Sequence, residues 1–218
     1  TLVEQQQKRH NMLASIAQKI KTQRREIDSL KHDEARLSRL IEGLGKIIRK
    51  TPKRATAKAA EPIPELAPAL PAPRPDQGTD ETLADSLFST LKGKLRLPVR
   101  GQLANRFGTP RREGGAIWKG LFIHARTGGE VKTIAAGRVV FADWLRGFGN
   151  LIIVDHGDGY LSVYGNNEAL FREVGEAVMS GDAIASVGNS GGNPESGLYF
   201  ELRHEGQAVD PLKWVRLN

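Results

Sequence analysis

Five histidines, His10, His32, His124, His156 and His204, are the first candidates for chemistry in this 218-residue chain, which has no cysteine. Without cysteine there is no disulfide, no thiolate zinc site and no cysteine nucleophile. In the run DHGDG, Asp155, His156 and Asp158 bring three possible cation ligands close together. Asp and Gly at that spacing equally describe a solvated turn, which is the reading we take. A second set is aromatic. If WKGLF and GLYFELR are strands, alternation puts Trp118, Gly120 and Phe122 on one face, and Gly197, Tyr199, Glu201 and Arg203 on one face. The opposite parity, Leu198, Phe200 and Leu202, is wholly apolar and belongs in a core. Tyr, Trp and Arg are the residues enriched at protein-binding hot spots.

The elements that must hold these residues differ along the chain. Residues 1–50 contain no proline, and their only glycines are Gly43 and Gly45. Leu13, Ile16, Ile20, Gln23, Ile27, Leu30, Glu34, Leu37, Ile41, Leu44 and Ile48 fall on one heptad seam, nine of the eleven apolar, which predicts a coiled-coil helix. Such a helix cannot bury its seam alone and needs a partner helix, from an upstream segment or another chain. Residues 51–80 hold seven of the eleven prolines and read as an extended Pro/Ala-rich linker. Residues 81–96 begin with a short amphipathic helix carrying Leu83, Leu87, Phe88 and Leu91. Residues 97–218 show short β-rich runs broken by glycine turns. Asp158-Gly159 is a hairpin signal and Glu205-Gly206 a tight turn. An all-β domain of about 120 residues follows.

Composition narrows the function classes. The longest aliphatic run, Leu151 to Val154, is far short of the ~20 residues of a membrane span. The net charge of +7 suggests a polyanion partner until it is divided. Residues 1–60 carry +9 and residues 61–218 carry −2, so the β-rich domain is no general polyanion binder. On the helix, bases alternate with acids and lack aromatic stacking partners, which argues against nucleic acid. The sequence opens at Thr1 without a basic-then-apolar leader, so an export signal is expected to have been removed or to lie outside these residues.

The segments VRGQLANRFG, WKGLFI, GGEVKTIAAGRVVFADW, GFGNLIIVDHGDGYLSVYGN, VMSGDAIASVGNSGG and GLYFELRHEGQAVDPLKWV, taken in order, resemble the LytM/lysostaphin-type zinc peptidase domain over residues 97–216. The resemblance implies its fold, an all-β domain of the duplicated hybrid motif type. It also implies where zinc and catalytic groups sit in active members: a His-x-Gly-x-Asp motif, a His-x-His motif and one further His. Those positions fall here on Trp118 and Phe122, on Gly197 and Tyr199, and on Asn166. Catalytic zinc needs about three N, O or S donors and an open position, which this set does not provide. We therefore expect neither peptidase activity nor a metal or other cofactor.

The resemblance is strongest to a degenerate subgroup in which a coiled coil precedes an inactive domain that switches on cell-wall amidases in the periplasm during division. It implies that the coil docks on a division-site ABC transporter of the FtsE–FtsX type. It further implies an amidase-binding groove at Lys119, Phe122, Phe148, Leu151, Tyr164, Tyr199 and Arg203. The aromatic replacements either bind a partner there or fill the vacated hole. The helix within 81–96, tethered just upstream of the domain, is expected to block the groove. Alternatives are an active zinc endopeptidase and a passive peptidoglycan-binding module.

Overall fold

The computed structural model describes residues 2–50, 88–111 and 116–216. The linker expected at 51–80 and the helix start at 81–87 lie outside them. Helix α1 runs unbroken over Leu2–Lys50, 49 residues or about 74 Å. Absence of proline permits that length, and Glu4 complements the positive end of the helix dipole. The seam has two fates. Leu13, Ile16 and Ile20 are exposed, whereas Leu37 and Ile41 are buried at 0% and 2%. The helix therefore stands off the molecule at its N-terminal half and lies on the β domain at its C-terminal half.

The helix expected to end at Leu91 is, in its described part, only a four-residue 3-10 turn, Phe88–Leu91. Phe88 is buried and stacks 4.8 Å from His156, with Tyr160 at 4.8 Å and Trp214 at 5.1 Å. This anchor sits in the domain interior and not on the groove. The expected blocking role thus finds no support in the part of 81–96 that is described.

The β domain has ten strands among the described residues: β1 Gln102–Asn105, β2 Leu121–His124, β3 Glu130–Lys132, β4 Gly137–Leu145, β5 Gly149–Asp155, β6 Tyr160–Leu170, β7 Ala177–Val178, β8 Ala183–Val187, β9 Gly197–His204 and β10 Gln207–Val209. The main path is β1-β2-β9-β6-β5-β4-β7, with β10 on β9 and β8 joining β6 to β3. Both expected turns form. Asp158 and Gly159 take φ 51° and 77°, and Glu205 and Gly206 take 50° and 82°, the left-handed pair that closes a tight hairpin.

Alternation along the central strands divides the apolar residues between two faces. One face forms an interior core with Leu121, Ile123, Ile152, Val154, Tyr164, Leu198, Phe200 and Leu202. The other gathers Trp118, Phe122, Phe148, Leu151, Ile153, Leu161, Val163 and Tyr199, and is completed by Leu37 and Ile41 of α1.

Candidate functional site

The second face is a groove whose floor is β2, β9, β6 and β5 and whose occupant is α1. Phe122 pairs with Tyr199 across the β2–β9 ladder, so both rings emerge on this side. Trp118 lies 6.2 Å from each ring and Phe148 lies 5.2 Å from Tyr199. The Arg111 guanidinium covers the Trp118 ring at 4.3 Å, a cation–π contact. Leu37 and Ile41 insert among these side chains, with Leu40, Leu44 and Ile48 packed at the margin. Burying each such aliphatic is worth about 1.5–3 kcal/mol. Close approach is required at Gly147, where a Cβ would run into Asp33 of α1 and the backbone takes φ 84°.

Beneath the helix lies a charged chain. Glu201 is fully buried, and both its oxygens accept: Arg203 Nε donates at 2.6 Å and Tyr199 Oη at 2.7 Å. Arg203, itself 2% exposed, turns Nη2 to Glu34 at 3.0 Å and Nη1 to Ser38 at 3.3 Å and to the Gly206 carbonyl at 3.2 Å. The same Glu34 oxygen meets Lys119 Nζ at 2.9 Å. Burial raises the Glu201 carboxyl above its ordinary pKa, against the pull of Arg203. Burial, then the Glu201 and Glu34 charges, holds the Tyr199 phenol well above its usual value, so it stays a donor. For Arg203, burial works to lower the pKa, but Glu201 and Glu34 outweigh it and the net direction is up.

Of the seven expected groove residues, Lys119, Phe122, Phe148, Leu151, Tyr199 and Arg203 converge on α1. Tyr164 does not. It pairs with Phe200 across β6–β9 and shares that residue's interior face, where its hydroxyl accepts from the Ile134 amide at 3.1 Å. Glu34, Leu37, Ser38 and Ile41 were missed as site residues. Glu34, Leu37 and Ile41 signal themselves in the seam, where Glu34 is an isolated charge among apolar positions; Ser38 lies beside it.

The degenerate positions do not fit zinc. Trp118, Phe122 and Gly197 offer no donor, and the Tyr199 hydroxyl is committed to Glu201. Asn166 spends its whole amide on backbone, donating to the Gly188 and Gly197 carbonyls and accepting from the Gly191 amide. A Cβ at Gly197 would collide with the Phe122 ring and the Ile123 carbonyl, so the replacements interlock. A cavity of about 330 Å³ remains beside them, roofed by Leu30 and Asp33.

The DHGDG turn is solvated as expected at Gly157, Asp158 and Gly159, which are exposed. His156, at the edge of the turn, is half-buried, with Nδ1 2.7 Å from the Ala136 carbonyl and Nε2 2.6 Å from Ser162 Oγ. Burial lowers its pKa to about 4. Asp155 instead accepts from the Gly157 amide, closing the turn. His124 pairs with Glu195 at 2.8 Å on the cavity rim, and His204 stacks 4.1 Å from Tyr160.

With this geometry in hand, likeness to known proteins is informative. Residues 116–211 match Peptidase family M23. The murein hydrolase activator EnvC of Escherichia coli is 47% identical over 124 residues, 57% of this chain and 29% of that protein. The murein hydrolase activator NlpD of the same organism is 38% identical over 128 residues, 58% of this chain and 32% of that protein. The chain thus spans about a third of the length of these relatives. A zinc containing peptidase from Vibrio cholerae shares the fold, with TM-score 0.52 and 22% identity over 56% of this chain and 40% of that one. No described helix is long and apolar enough to cross a membrane.

Proposed function

We propose, from a Peptidase family M23 domain at residues 116–211 whose zinc positions carry no usable donor set, that this chain activates cell-wall hydrolases and is not itself one. The observation that carries the proposal is the occupant of the groove. An amphipathic helix lies over Trp118, Phe122 and Tyr199, the positions that correspond to metal and catalytic groups in active members, which supports reading the site as a helix receptor. Two relatives named murein hydrolase activators support the same class.

In finer terms, the partner is a periplasmic zinc-dependent N-acetylmuramoyl-L-alanine amidase acting during cell division. The groove captures a helix that otherwise covers the amidase active site. Lys119, Phe122, Phe148, Leu151, Tyr199 and Arg203 receive it. Capture shifts the amidase only if the groove prefers the open form, because equal affinity for both forms shifts nothing. In the form described here α1 holds the groove, so this is the resting state. The exposed half of α1 is the handle by which an ABC transporter of the FtsE–FtsX type lifts it.

Dye release from labelled peptidoglycan tests the reading with three samples: the chain, an amidase, and both together. Release by the mixture, raised further by Leu37→Asp with Ile41→Asp, is the expected result. Release by the chain alone with stoichiometric zinc would mean an endopeptidase. Binding to sacculi without any effect on the amidase would mean a passive wall-binding module.

A further inference from the structure

The charges under α1 set a condition on any helix that replaces it. With α1 in place, Arg203 and Glu201 neutralise each other, and the Glu34 carboxylate meets both Arg203 and Lys119. Remove α1, and Arg203 and Lys119 face the opening, with Glu201 still paired to Arg203 and Arg111 over the nearby Trp118 ring. Water can then solvate Arg203 and Lys119. A new helix that covers the groove removes that water. Covering Arg203 with an apolar or basic side chain keeps its pair with Glu201 but leaves the guanidinium donors that now meet Glu34 and Ser38 without those acceptors, which costs affinity.

The spacing around Glu34 is equally specific. Leu37 and Ile41 lie three and seven residues further on, and Ser38 lies four residues on. All four face the domain, because residues at i, i+3, i+4 and i+7 share one side of a helix. Ser38 is small enough to admit the Arg203 guanidinium and supplies an acceptor for it at 3.3 Å. Arg39 and Glu42, between these positions, are exposed and unread.

We propose that the groove reads a four-position helix code, namely a carboxylate at i, an apolar side chain at i+3, a small polar residue at i+4 and an apolar side chain at i+7. The carboxylate is the element that decides between competing amphipathic helices, and α1 is an internal copy of the partner's recognition face. The proposal rests on the reading of the groove as a helix receptor and adds what that receptor selects.

The test uses the full chain carrying Leu37→Asp and Ile41→Asp, checked by circular dichroism for an intact β domain. The probe is a fluorescent peptide of residues 30–48, LKHDEARLSRLIEGLGKII. We expect saturable binding, and at least about tenfold weaker binding of the Glu34→Gln peptide. Adding Lys119→Glu to the chain should weaken the native peptide and strengthen the Glu34→Lys peptide. A peptide with Leu37→Asp and Ile41→Asp serves as the apolar control. If native and Glu34→Gln peptides bind alike while that control does not bind, the groove takes helices without reading the acid, and the code is wrong. If no peptide binds a folded chain, the helix-receptor reading falls and the code falls with it.

Discussion

The two apolar faces of the β domain are built from alternate residues of the same strands, yet they are finished differently. The interior core is closed by the domain's own chain, with Phe88 and Trp214 sealing its edge. Its polar groups are satisfied locally, Tyr164 by the Ile134 amide and Thr133, and His156 by Ala136 and Ser162. The groove core is closed by a helix that belongs to a separate part of the chain, and its polar groups form a charged chain that ends on that helix. One is a core in the ordinary sense. The other is a face covered by a distant helix, with charges running from the floor into the cover.

Equal truncations on the two faces should therefore have unequal consequences. Phe200→Ala empties space that nothing can refill, and should lower unfolding free energy by about 3–5 kcal/mol in denaturant titration. Leu37→Ala with Ile41→Ala should leave the main transition of the β domain nearly in place. The helix lifts instead, and binding of an apolar dye to the uncovered Trp118, Phe122, Phe148 and Tyr199 should rise. A main transition lowered as much as by Phe200→Ala would make α1 an integral core element and erase the distinction.

Acid should act next most strongly, and through the interior face. The folded pKa of His156, about 4, lies below the usual 6.5, so the folded state resists the proton that the unfolded chain accepts. Stability from this group is complete above pH 6.5 and declines as pH falls towards 4. The loss totals about 3 kcal/mol at 1.36 kcal/mol per unit. Comparing the pH slope of stability with that of His156→Gln isolates the effect. An unchanged slope would show that the imidazole is not held neutral.

The smallest effect is expected at the groove rim. Lys119 is partly exposed, so its pair with Glu34 is screened by water and salt. Lys119→Ala should loosen α1 by less than about 1 kcal/mol, with the difference shrinking as salt rises. A larger, salt-independent loss would move the rim pair into the buried network with Arg203.

Much of this arrangement is legible in the residues. The alternation of GLYFELR separates Tyr199, Glu201 and Arg203 from Leu198, Phe200 and Leu202, and the structure keeps that division. The paired left-handed residues at Asp158-Gly159 and Glu205-Gly206 mark hairpins because side chains with a Cβ rarely tolerate such backbone. Tyr164 is misread for a physical reason. Its face depends on cross-strand register, Tyr164 opposite Phe200 and Gly165 opposite Tyr199, and register is a property of two strands that a single strand's pattern does not contain. The occupant of the groove is hidden similarly. The heptad seam of α1 announces that something must cover it but carries no label for a helix or a sheet. Only Glu34, an acid where a coiled coil prefers an aliphatic, hints that part of the seam is made for a basic floor.

The length of α1 also makes it a mechanical element. Taking Ile48 as the pivot, Leu37 lies about 16 Å along the rod and Leu2 about 69 Å. A sideways force applied at Leu2 would therefore be multiplied about fourfold at the contact, and drawing Leu37 back by ~4 Å would require ~17 Å of travel at Leu2. A rod of this shape is a crowbar: a large, weak movement at a distance would become a short, strong one at the groove.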